Sequence, residues 1–358
     1  MDAAALRAAH PVLEHTAYLN AGTCGPLSAP ALEQARSGWE RAGTEGRSKG
    51  YYERYMAITP RLRDAYARLL GGDAADVALT TCTTEGIVRV LGGLDLQPGD
   101  EVLTAPDEHP GLLGPLITQR ERRGITIRTA PLADLADAVE PQTALVACSH
   151  VSWTTGAVAP AELAALDVPV LLDGAQGIGA VPVDVDALGC AFYAGSGQKW
   201  LCGPVGTGML WIAPQWSGRV EPQGLAYANL AGAKTGLQAT PWPDARRHDA
   251  TTIAVEQMEV ALAAHDVLER FGWAAICERA TALAADLADG LRERGRTVAP
   301  RGATTLVAWE SDDPPAEVAR LAEAGVVVRN LPRTPYVRAS VGAWNDASDL
   351  ERLLGALG

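Results

Sequence analysis

A single lysine stands between a strand-like run and a glycine-rich turn in the stretch SGQKWLCGPVGTG, residues 196–208. The chain contains only three lysines, and Lys199 lies among small and apolar neighbours. Lysine carries a primary amine, and desolvation lowers the pKa of that amine so that its neutral, nucleophilic form becomes available. The stretch therefore predicts a chemically reactive lysine.

Other polar side chains follow strand-like runs. Asp173 comes at the end of VPVLLDG, and His109 follows DEVLTAP. An acid beyond the carboxyl end of a parallel strand lies where open α/β sheets bind ligands. In TTCTTEGIVRVL, Thr83 and Thr84 mark the start of a predicted helix, where hydroxyls and free N–H groups form a phosphate site. Each feature alone is typical of a structural role, but together with Lys199 they predict a pyridoxal phosphate site.

Alternating strands and helices must position these residues. The predicted strands are DVALTT, DEVLTAP, TALVACSHV, VPVLLDGAQ, CAFYAGSG and TGMLWIAP. Several are apolar throughout, which is typical of strands covered on both faces. The predicted helices include SAPALEQARSGWERA, capped by Ser28, then YYERYMAITPRLRDAYARLLGG, GLLGPLITQRERRG and PAELAAL. This alternation predicts an α/β fold with a mainly parallel sheet between helices.

The pattern changes after about residue 235. Two long helical stretches, IAVEQMEVALAAHDVLERFG and WAAICERATALAADLADGLRERG, precede the strand-like runs TTLVAWES, GVVVRN and YVRASVGAW and a last helix capped by Asp346 or Ser348. We predict an N-terminal arm over residues 1–15, a large α/β domain over 16–240 and a smaller C-terminal α+β domain over 241–358.

Composition limits the class of partner. The net charge of −13 argues against nucleic acid and anionic membranes, because both require a basic surface. The first residues do not resemble a signal peptide, and no apolar run approaches the ~20 residues of a membrane helix. The six cysteines are scattered, without C-x-x-C pairs or zinc spacing. We expect a cytoplasmic protein with no metal site.

The quoted motifs resemble those of the class V aminotransferases. This fold-type I group of pyridoxal phosphate enzymes includes cysteine desulfurases, isopenicillin N epimerase-like enzymes and cystine C–S lyases. The resemblance runs from AYLNAGTCGP to YVRASVGAWNDASDLERLL and is most specific in CTTEG, DEHPG, SHVSWTTGAVAP, LLDGAQGIGAVPVDV and GSGQKWLCGPVGTGMLW. It implies the fold-type I architecture with a mainly parallel, seven-stranded sheet, pyridoxal 5'-phosphate as cofactor, and a homodimer with a shared active site.

The resemblance also implies roles for individual residues. Lys199 would bind the cofactor as a Schiff base, Asp173 would pair with the pyridine nitrogen, and His109 would stack on the ring; these three are the expected catalytic residues. The further expected cofactor contacts are Gln176 with the phenolic oxygen, and Thr83, Thr84, Ser196 and Gln198, together with Thr251 or Thr252 from a second subunit, with the phosphate.

The expected substrate contacts lie mostly near the end of the chain. Arg338 matches the arginine that binds the substrate α-carboxylate, a task suited to a planar guanidinium. Arg329 is a second candidate, and Gly22 is expected to be near the substrate from its position alone. The chain departs from the common pattern at two places: relatives commonly have His where Gln198 stands, and many have Asn at the position of Trp153.

The absence of one cysteine limits the reactions that the resemblance allows. Desulfurases of this family carry a mobile-loop cysteine, and the matching segment here, RNLPRTPYVR, has none. The motifs EHPG, SHVSWTTG and KWLCGP resemble the C–S lyase branch most. This resemblance implies β-elimination from cystine, an S-substituted cysteine or a cysteine sulfoxide conjugate, giving pyruvate, ammonia and a sulfur product. The broad group includes the enzyme of ergothioneine synthesis that cleaves a sulfoxide conjugate.

Other functions remain open. The first alternative is a class V aminotransferase or epimerase acting on an amino-acid-like substrate. A remote one is a non-catalytic binding protein that retains the fold, against which the presence of Lys199 and Asp173 speaks. A dinucleotide-binding oxidoreductase is disfavoured, because LLDGAQGIGA has the reverse of the usual glycine spacing and Pro182 prevents a following helix.

Overall fold

The computed structural model describes residues 1–232 and 236–357. The α-helices are α1 (Ala3–Ala8), α2 (Ala29–Thr44), α3 (Lys49–Leu70), α4 (Thr83–Gly93), α5 (Pro110–Arg123), α6 (Val255–Glu269), α7 (Trp273–Glu293), α8 (Pro314–Glu323) and α9 (Ala347–Leu357). The strands are β1 (Ala17–Tyr18), β2 (Val77–Thr80), β3 (Glu101–Thr104), β4 (Thr126–Thr129), β5 (Thr143–Ser149), β6 (Val170–Asp173), β7 (Phe192–Ser196), β8 (Gly208–Ile212), β9 (Leu230–Ala231), β10 (Thr240–Pro241), β11 (Leu306–Glu310), β12 (Val326–Val327), β13 (Arg329–Asn330) and β14 (Tyr336–Ser340).

The central sheet has seven strands within the described residues, in the order β2-β8-β7-β6-β5-β3-β4. All neighbouring strands pair in parallel except β8, which runs antiparallel to both β2 and β7. The predicted α/β class with a mainly parallel, seven-stranded sheet is therefore confirmed. All six runs predicted as strands before residue 213 form strands of this sheet.

Packing on both faces explains the apolar runs. On β6 and β7, Leu172 and Tyr193 belong to one hydrophobic cluster and Leu171 and Phe192 to another. Successive side chains of a strand point to opposite faces, so the two clusters cover the two sides of the sheet. Edge strand β4 differs, because its residues are exposed or half-buried. Its sequence, TIRT, is correspondingly polar and lacks the apolar run that predicts a strand.

A second group of elements follows the central sheet. Strands β11, β14 and β13 form an antiparallel sheet, and α7 and α9 pack against each other and contribute to one hydrophobic cluster with it. The short strand β1 pairs in parallel with β12, so the start of the chain is joined to this region. The domain boundaries at residues 15 and 240 stay a prediction.

Two local differences from the predictions have simple causes. The segment PAELAAL forms a short 3₁₀ helix, Ala161–Ala165, instead of a crossover α-helix. The parallel strands β5 and β6 are therefore joined by a crossover, residues 150–169, that contains a short 3₁₀ helix and irregular segments. The last helix begins after Asp346, whose Oδ1 accepts from the backbone N–H groups of Ser348 and Asp349, so Asp346 is the cap.

No helix in the described part of the chain combines the length and the apolar character required to cross a membrane.

Candidate active site

A cavity of about 240 Å³ lies where strands β6 and β7 end. Its lining consists of Gly22, Thr23, Cys82, Thr83, Thr84, His109, Trp153, Asp173, Ala175, Gln176, Ser196, Gln198, Lys199, Arg329 and Arg338. The cavity therefore brings together every predicted cofactor and substrate residue except Thr252.

Lys199 follows β7 in a tight turn, in which the N–H of Cys202 donates to the Lys199 carbonyl at 3.1 Å. The side chain faces the cavity and is half-buried. Desolvation lowers the pKa of the amine to about 8, although the negative charge of Asp173 opposes that shift. A substantial neutral fraction at neutral pH is what a nucleophilic lysine needs.

Gly25 allows the N-terminal segment to approach this turn. The Gly25 N–H donates to the Gln198 carbonyl at 2.8 Å. A Cβ at residue 25 would lie 2.1 Å from the Lys199 carbonyl oxygen, so a larger residue would displace the turn.

Asp173 and Gln176 occupy one side of the cavity. Asp173 is the last residue of β6, and its Oδ1 accepts from the Ala175 N–H at 2.9 Å. The Gln176 amide is fixed at both ends, since Oε1 accepts from Trp200 Nε1 at 3.0 Å and Nε2 donates to the Gly22 carbonyl at 2.8 Å. The second N–H of Nε2 has no partner among the described hydrogen bonds, so Gln176 can still donate to a phenolic oxygen.

His109 is the N-cap residue of α5. Its Nδ1 accepts from the Gly111 N–H at 2.9 Å, which places the proton of the neutral ring on Nε2. Burial, followed by the positive charge of Lys199, lowers the pKa of His109. The ring is therefore held neutral and in one orientation at the cavity wall.

Glu108 is a buried residue behind the cavity that the sequence analysis did not single out. Its carboxyl group accepts from the Ser149 N–H at 2.8 Å and from the Ser149 hydroxyl. Burial raises the pKa of Glu108 to about 7, and the charges of Asp173 and Asp107 act in the same direction. The available signal was its position directly before His109 in DEHPG. The contact ties the start of α5 to the end of β5.

The N-terminus of α4 forms an anion cradle. The hydroxyls of Thr83 and Ser196 lie 2.6 Å apart, and the Ser196 hydroxyl also accepts from the Thr83 N–H at 3.3 Å. The N-cap residue, Cys82, makes no side-chain hydrogen bond to the helix. Free N–H groups and the helix dipole at such an end favour a phosphate.

Arg338 is 1% exposed and incompletely paired. Its Nη1 donates to the Trp153 carbonyl, whereas Nε and Nη2 have no hydrogen-bond partner among the described residues. Burial, and then the charge of Arg329, lower the pKa of Arg338 to about 9. Arg329 donates to the Thr23 hydroxyl at 3.2 Å. The two arginines make this end of the cavity strongly positive.

Gly22 leaves open the space beside Arg338 because it has no side chain. A Cβ at residue 22 would lie 2.7 Å from Ser340 Oγ and 2.9 Å from both Arg338 Nη2 and Gln176 Oε1. A side chain at this position would therefore fill the space in front of the guanidinium.

Trp153, one of the two places at which the sequence analysis noted a departure from the expected pattern, lines the cavity. Its indole Nε1 donates to the Asp107 carbonyl at 2.9 Å. The ring lies edge-to-face with His109, with centroids 5.1 Å apart and planes at 88°. The indole thus forms an aromatic wall beside His109, while the backbone carbonyl of the same residue contacts Arg338.

Thr252 does not line the cavity and is exposed. Thr251, the alternative, is also exposed. The segment just before them is anchored by a buried ion pair between Asp249 and Arg63. Contact with the cofactor of a second subunit stays a prediction.

The cavity provides the contacts that pyridoxal phosphate needs. It contains an anion cradle at α4, an amine with a lowered pKa at Lys199, and a buried carboxylate at Asp173. Two nitrogens of Arg338 remain without partners, among the described residues, for an acid group. This site at the ends of a mainly parallel, seven-stranded sheet defines a fold-type I pyridoxal phosphate enzyme.

The chain belongs to the class-V aminotransferase family, whose model matches residues 42–353. Among curated relatives, a probable cysteine desulfurase of Pseudomonas aeruginosa is 34% identical over 331 residues, covering 81% of this chain and 79% of the relative. An isopenicillin N epimerase of Streptomyces clavuligerus is 33% identical over 227 residues, covering 59% of this chain and 56% of the relative. The chain thus spans little more than half the length of that epimerase.

The fold is also similar to solved structures of the cystine C–S lyase C-DES. In its complex with the reaction product cysteine persulfide, C-DES is 30% identical to this chain, with a TM-score of 0.91 and coverage of 97% of this chain and 98% of C-DES. A lysine-to-alanine variant of C-DES, with glycine covalently linked to its pyridoxal phosphate cofactor, is 29% identical, with a TM-score of 0.91 and coverage of 98% of both chains. The chain is a class V pyridoxal phosphate enzyme related to desulfurases, this lyase and the epimerase.

Proposed function

We propose that this enzyme is a C–S lyase that catalyses β-elimination from cystine, an S-substituted cysteine or a cysteine sulfoxide conjugate. The products would be pyruvate, ammonia and a sulfur compound. The observation that carries the proposal is the cavity itself, in which Lys199 and Asp173 face an Arg338 without an acid partner among the described residues. Similarity to a cystine C–S lyase over nearly the whole chain supports it.

The residues that would hold the cofactor are distributed around the cavity. Lys199 would hold it covalently, Asp173 would pair with the pyridine nitrogen, and His109 would cover the ring. The phosphate contacts would be Thr83, Thr84, Ser196 and Gln198, and Gln176 would donate its free N–H to the phenolic oxygen. Bound pyridoxal phosphate supplies an electron sink that stabilises negative charge at the α-carbon of an amino acid.

The chain's own groups would then bind the substrate and move its proton. Nε and Nη2 of Arg338 would donate to the α-carboxylate, whose two oxygens match the planar guanidinium. The substrate's amino group would first displace the Lys199 amine, and the freed amine, with its pKa lowered to about 8, would take the α-proton. The sulfur group would leave with the electrons of the Cβ–S bond, as an anion that is then protonated, and the remaining three-carbon product would be hydrolysed by water to pyruvate and ammonia.

The loop that matches the thiol loop of related desulfurases supports elimination without a thiol relay. Residues 330–337, between Arg329 and Arg338, contain no cysteine. Burial raises the pKa of the thiols of Cys148, Cys190, Cys202 and Cys277, which makes these buried groups poor nucleophiles. β-Elimination needs no protein thiol.

The direct test is pyruvate release by the holoenzyme. Cystine, S-methylcysteine and a cysteine sulfoxide conjugate are the substrates, and lactate dehydrogenase detects pyruvate. Lys199→Ala should abolish release, whereas Lys49→Ala, which changes an exposed lysine on α3, should leave it unchanged. If no such substrate gives pyruvate, the proposal is wrong.

A second candidate is epimerisation or transamination of an amino-acid-like substrate. It is favoured by the 33% identity to an isopenicillin N epimerase. Transamination would show as transfer of the amino group to an added keto acid. Epimerisation would show as exchange of the α-proton with solvent deuterium and loss of optical activity, without pyruvate.

We further propose that the enzyme is a cytoplasmic homodimer in which Thr252 contacts the phosphate bound by the other subunit. Large apolar side chains exposed on α3 and in the loop after β8, such as Met56 and Leu225, suit such an interface. Sedimentation should give twice the chain mass, and Thr252→Val should weaken cofactor binding. A monomer with full cofactor affinity would contradict the proposal, and cell fractionation tests the location.

A further inference from the structure

We propose that Trp153 forms the wall of the leaving-group pocket and selects substrates in which a flat aromatic or heteroaromatic group is attached to sulfur. This proposal rests on the proposed elimination and specifies its substrate class.

The first argument is the composition of the cavity wall. Apart from Trp153, the described lining consists of polar, charged or small side chains. Trp153 is therefore the one large apolar surface that the described lining offers to a bound molecule. The apolar part of a substrate gains most where it covers such a surface.

The second argument is the fixed orientation of the indole. Its N–H is already used by the Asp107 carbonyl, and Asp107 does not line the cavity. The perpendicular contact with His109 restrains the ring from another side. A ring held in this way loses little conformational freedom on binding and presents its π-system to a flat partner.

The third argument is that Trp153 and the expected carboxylate site share one cavity. Trp153 and Arg338 both line it, and the Trp153 backbone carbonyl accepts from Arg338 Nη1, so the residue that carries the indole is fixed directly to the guanidinium. A substrate whose α-carboxylate is bound by Arg338 and whose α-carbon faces Lys199 would have few bonds between these groups and the wall. The group attached to its sulfur is then the part that reaches the indole.

The test separates aromatic recognition from turnover. Holoenzyme is titrated with homophenylalanine and with 2-aminobutyrate, which have no sulfur leaving group, and binding is followed by the visible absorbance of the cofactor. Wild type should bind homophenylalanine at least about 5-fold more tightly, a preference consistent with one aromatic pair. Trp153→Ala should reduce the preference to less than about 2-fold, whereas Trp153→Phe should keep most of it.

Control variants distinguish direct contact of Trp153 with the ligand from a purely structural role of this residue. Trp39→Ala changes an exposed tryptophan on α2 outside the cavity and should keep the wild-type preference. If Trp153→Ala weakens both ligands equally, or if wild type shows no preference, the proposal is overturned. Trp153→Leu serves as a second variant if the alanine variant does not fold.

The elimination reaction is tested separately with S-benzylcysteine and S-methylcysteine. Trp153→Ala should lower kcat/KM about 5- to 10-fold for the benzyl substrate and less than about 2-fold for the methyl substrate. If both substrates give no pyruvate but the titration preference disappears in Trp153→Ala, the elimination is wrong and the aromatic wall holds. If pyruvate forms but the preference is unchanged in Trp153→Ala, the elimination holds and the aromatic wall is wrong.

Discussion

Two buried arginines in this molecule have opposite environments. Arg63, on α3, donates to both oxygens of Asp249, at 2.9 and 2.7 Å, and to the Val77 carbonyl. Arg338, on β14, is just as inaccessible, but two of its three guanidinium nitrogens have no partner among the described residues.

The difference indicates that the charge of Arg63 stabilises the fold, whereas the charge of Arg338 is available to bind a ligand. A buried ion requires compensation, and Arg63 receives it from within the chain. The charge of Arg338 has no acid partner among the described residues until a carboxylate enters the cavity. Its burial therefore lowers the stability of the free enzyme and favours binding of a carboxylate. The lowered pKa of Arg338 has the same physical origin.

The largest expected effect is the loss of stability when the buried ion pair between Arg63 and Asp249 is broken. Asp249→Ala leaves Arg63 buried without its carboxylate and also removes the acceptor of the Leu79 N–H. We expect a loss of about 3–5 kcal/mol in the free energy of unfolding, measured by denaturant titration. A loss below about 1 kcal/mol would mean that Arg63 finds other partners and that the comparison fails.

Removing the unpaired charge should affect catalysis instead of stability. Arg338→Met should lower kcat/KM about 10- to 150-fold, since a hydrogen-bonded carboxylate contact contributes about 1.5–3 kcal/mol. Its melting temperature should be no lower than that of wild type. Arg338→Lys retains the positive charge but lacks the planar guanidinium, so its kcat/KM should lie between those of wild type and Arg338→Met. Full activity combined with a lower melting temperature would assign Arg338 a structural role.

Lys199 extends the comparison to a half-buried amine whose pKa is lowered by desolvation. Its neutral form reacts with the cofactor, so the rate at which apoenzyme takes up pyridoxal phosphate should rise about tenfold per pH unit and level off near the Lys199 pKa of about 8. Asp173 raises the pKa of Lys199, so Asp173→Asn should move the profile to lower pH. Absorbance measurements over a pH range of about 6–10 test both statements, and a shift to higher pH contradicts them.

Glu108 is the corresponding case for a buried acid. Because burial raises its pKa to about 7, the folded state binds a proton more tightly than the unfolded state does. The stabilising effect of that proton is complete at low pH and is lost as pH rises through about 7. The melting temperature should therefore fall by a few degrees between about pH 5 and pH 8. Glu108→Gln mimics the protonated group and should remove this contribution; an identical slope in both proteins would contradict the assignment.

The sequence predicted those elements whose physics is local. Strands buried on both faces, such as β6 and β7, have continuous apolar runs, and the cap of α2 at Ser28 follows from residue type. Strand β4 was missed because an exposed edge requires no apolar run. The placement of β8 between β2 and β7 depends on contacts between distant segments, which periodicity does not encode.

The predicted residues converge on one cavity because most of their motifs lie at the carboxyl ends of strands, and these ends meet at one edge of the sheet. Glu108 was not found, because its effect depends on contact with Ser149, a residue distant in the sequence. The sequence also could not show that Nε and Nη2 of Arg338 lack hydrogen-bond partners among the described residues, because it does not reveal which residues surround the side chain. The roles of the lining residues, and that of Thr252, stay predictions.

The β1–β12 pairing affects how the enzyme is made. The Ser340 N–H donates to the Leu19 carbonyl at 2.7 Å, so the segment that carries Gly22 is aligned by residues near the other end of the chain. On the ribosome, the central sheet can be complete while this segment still has no strand to join. The pocket can therefore close only after residues 326–340 have left the ribosome, and a nascent chain stalled before residue 326 would lack a finished substrate site.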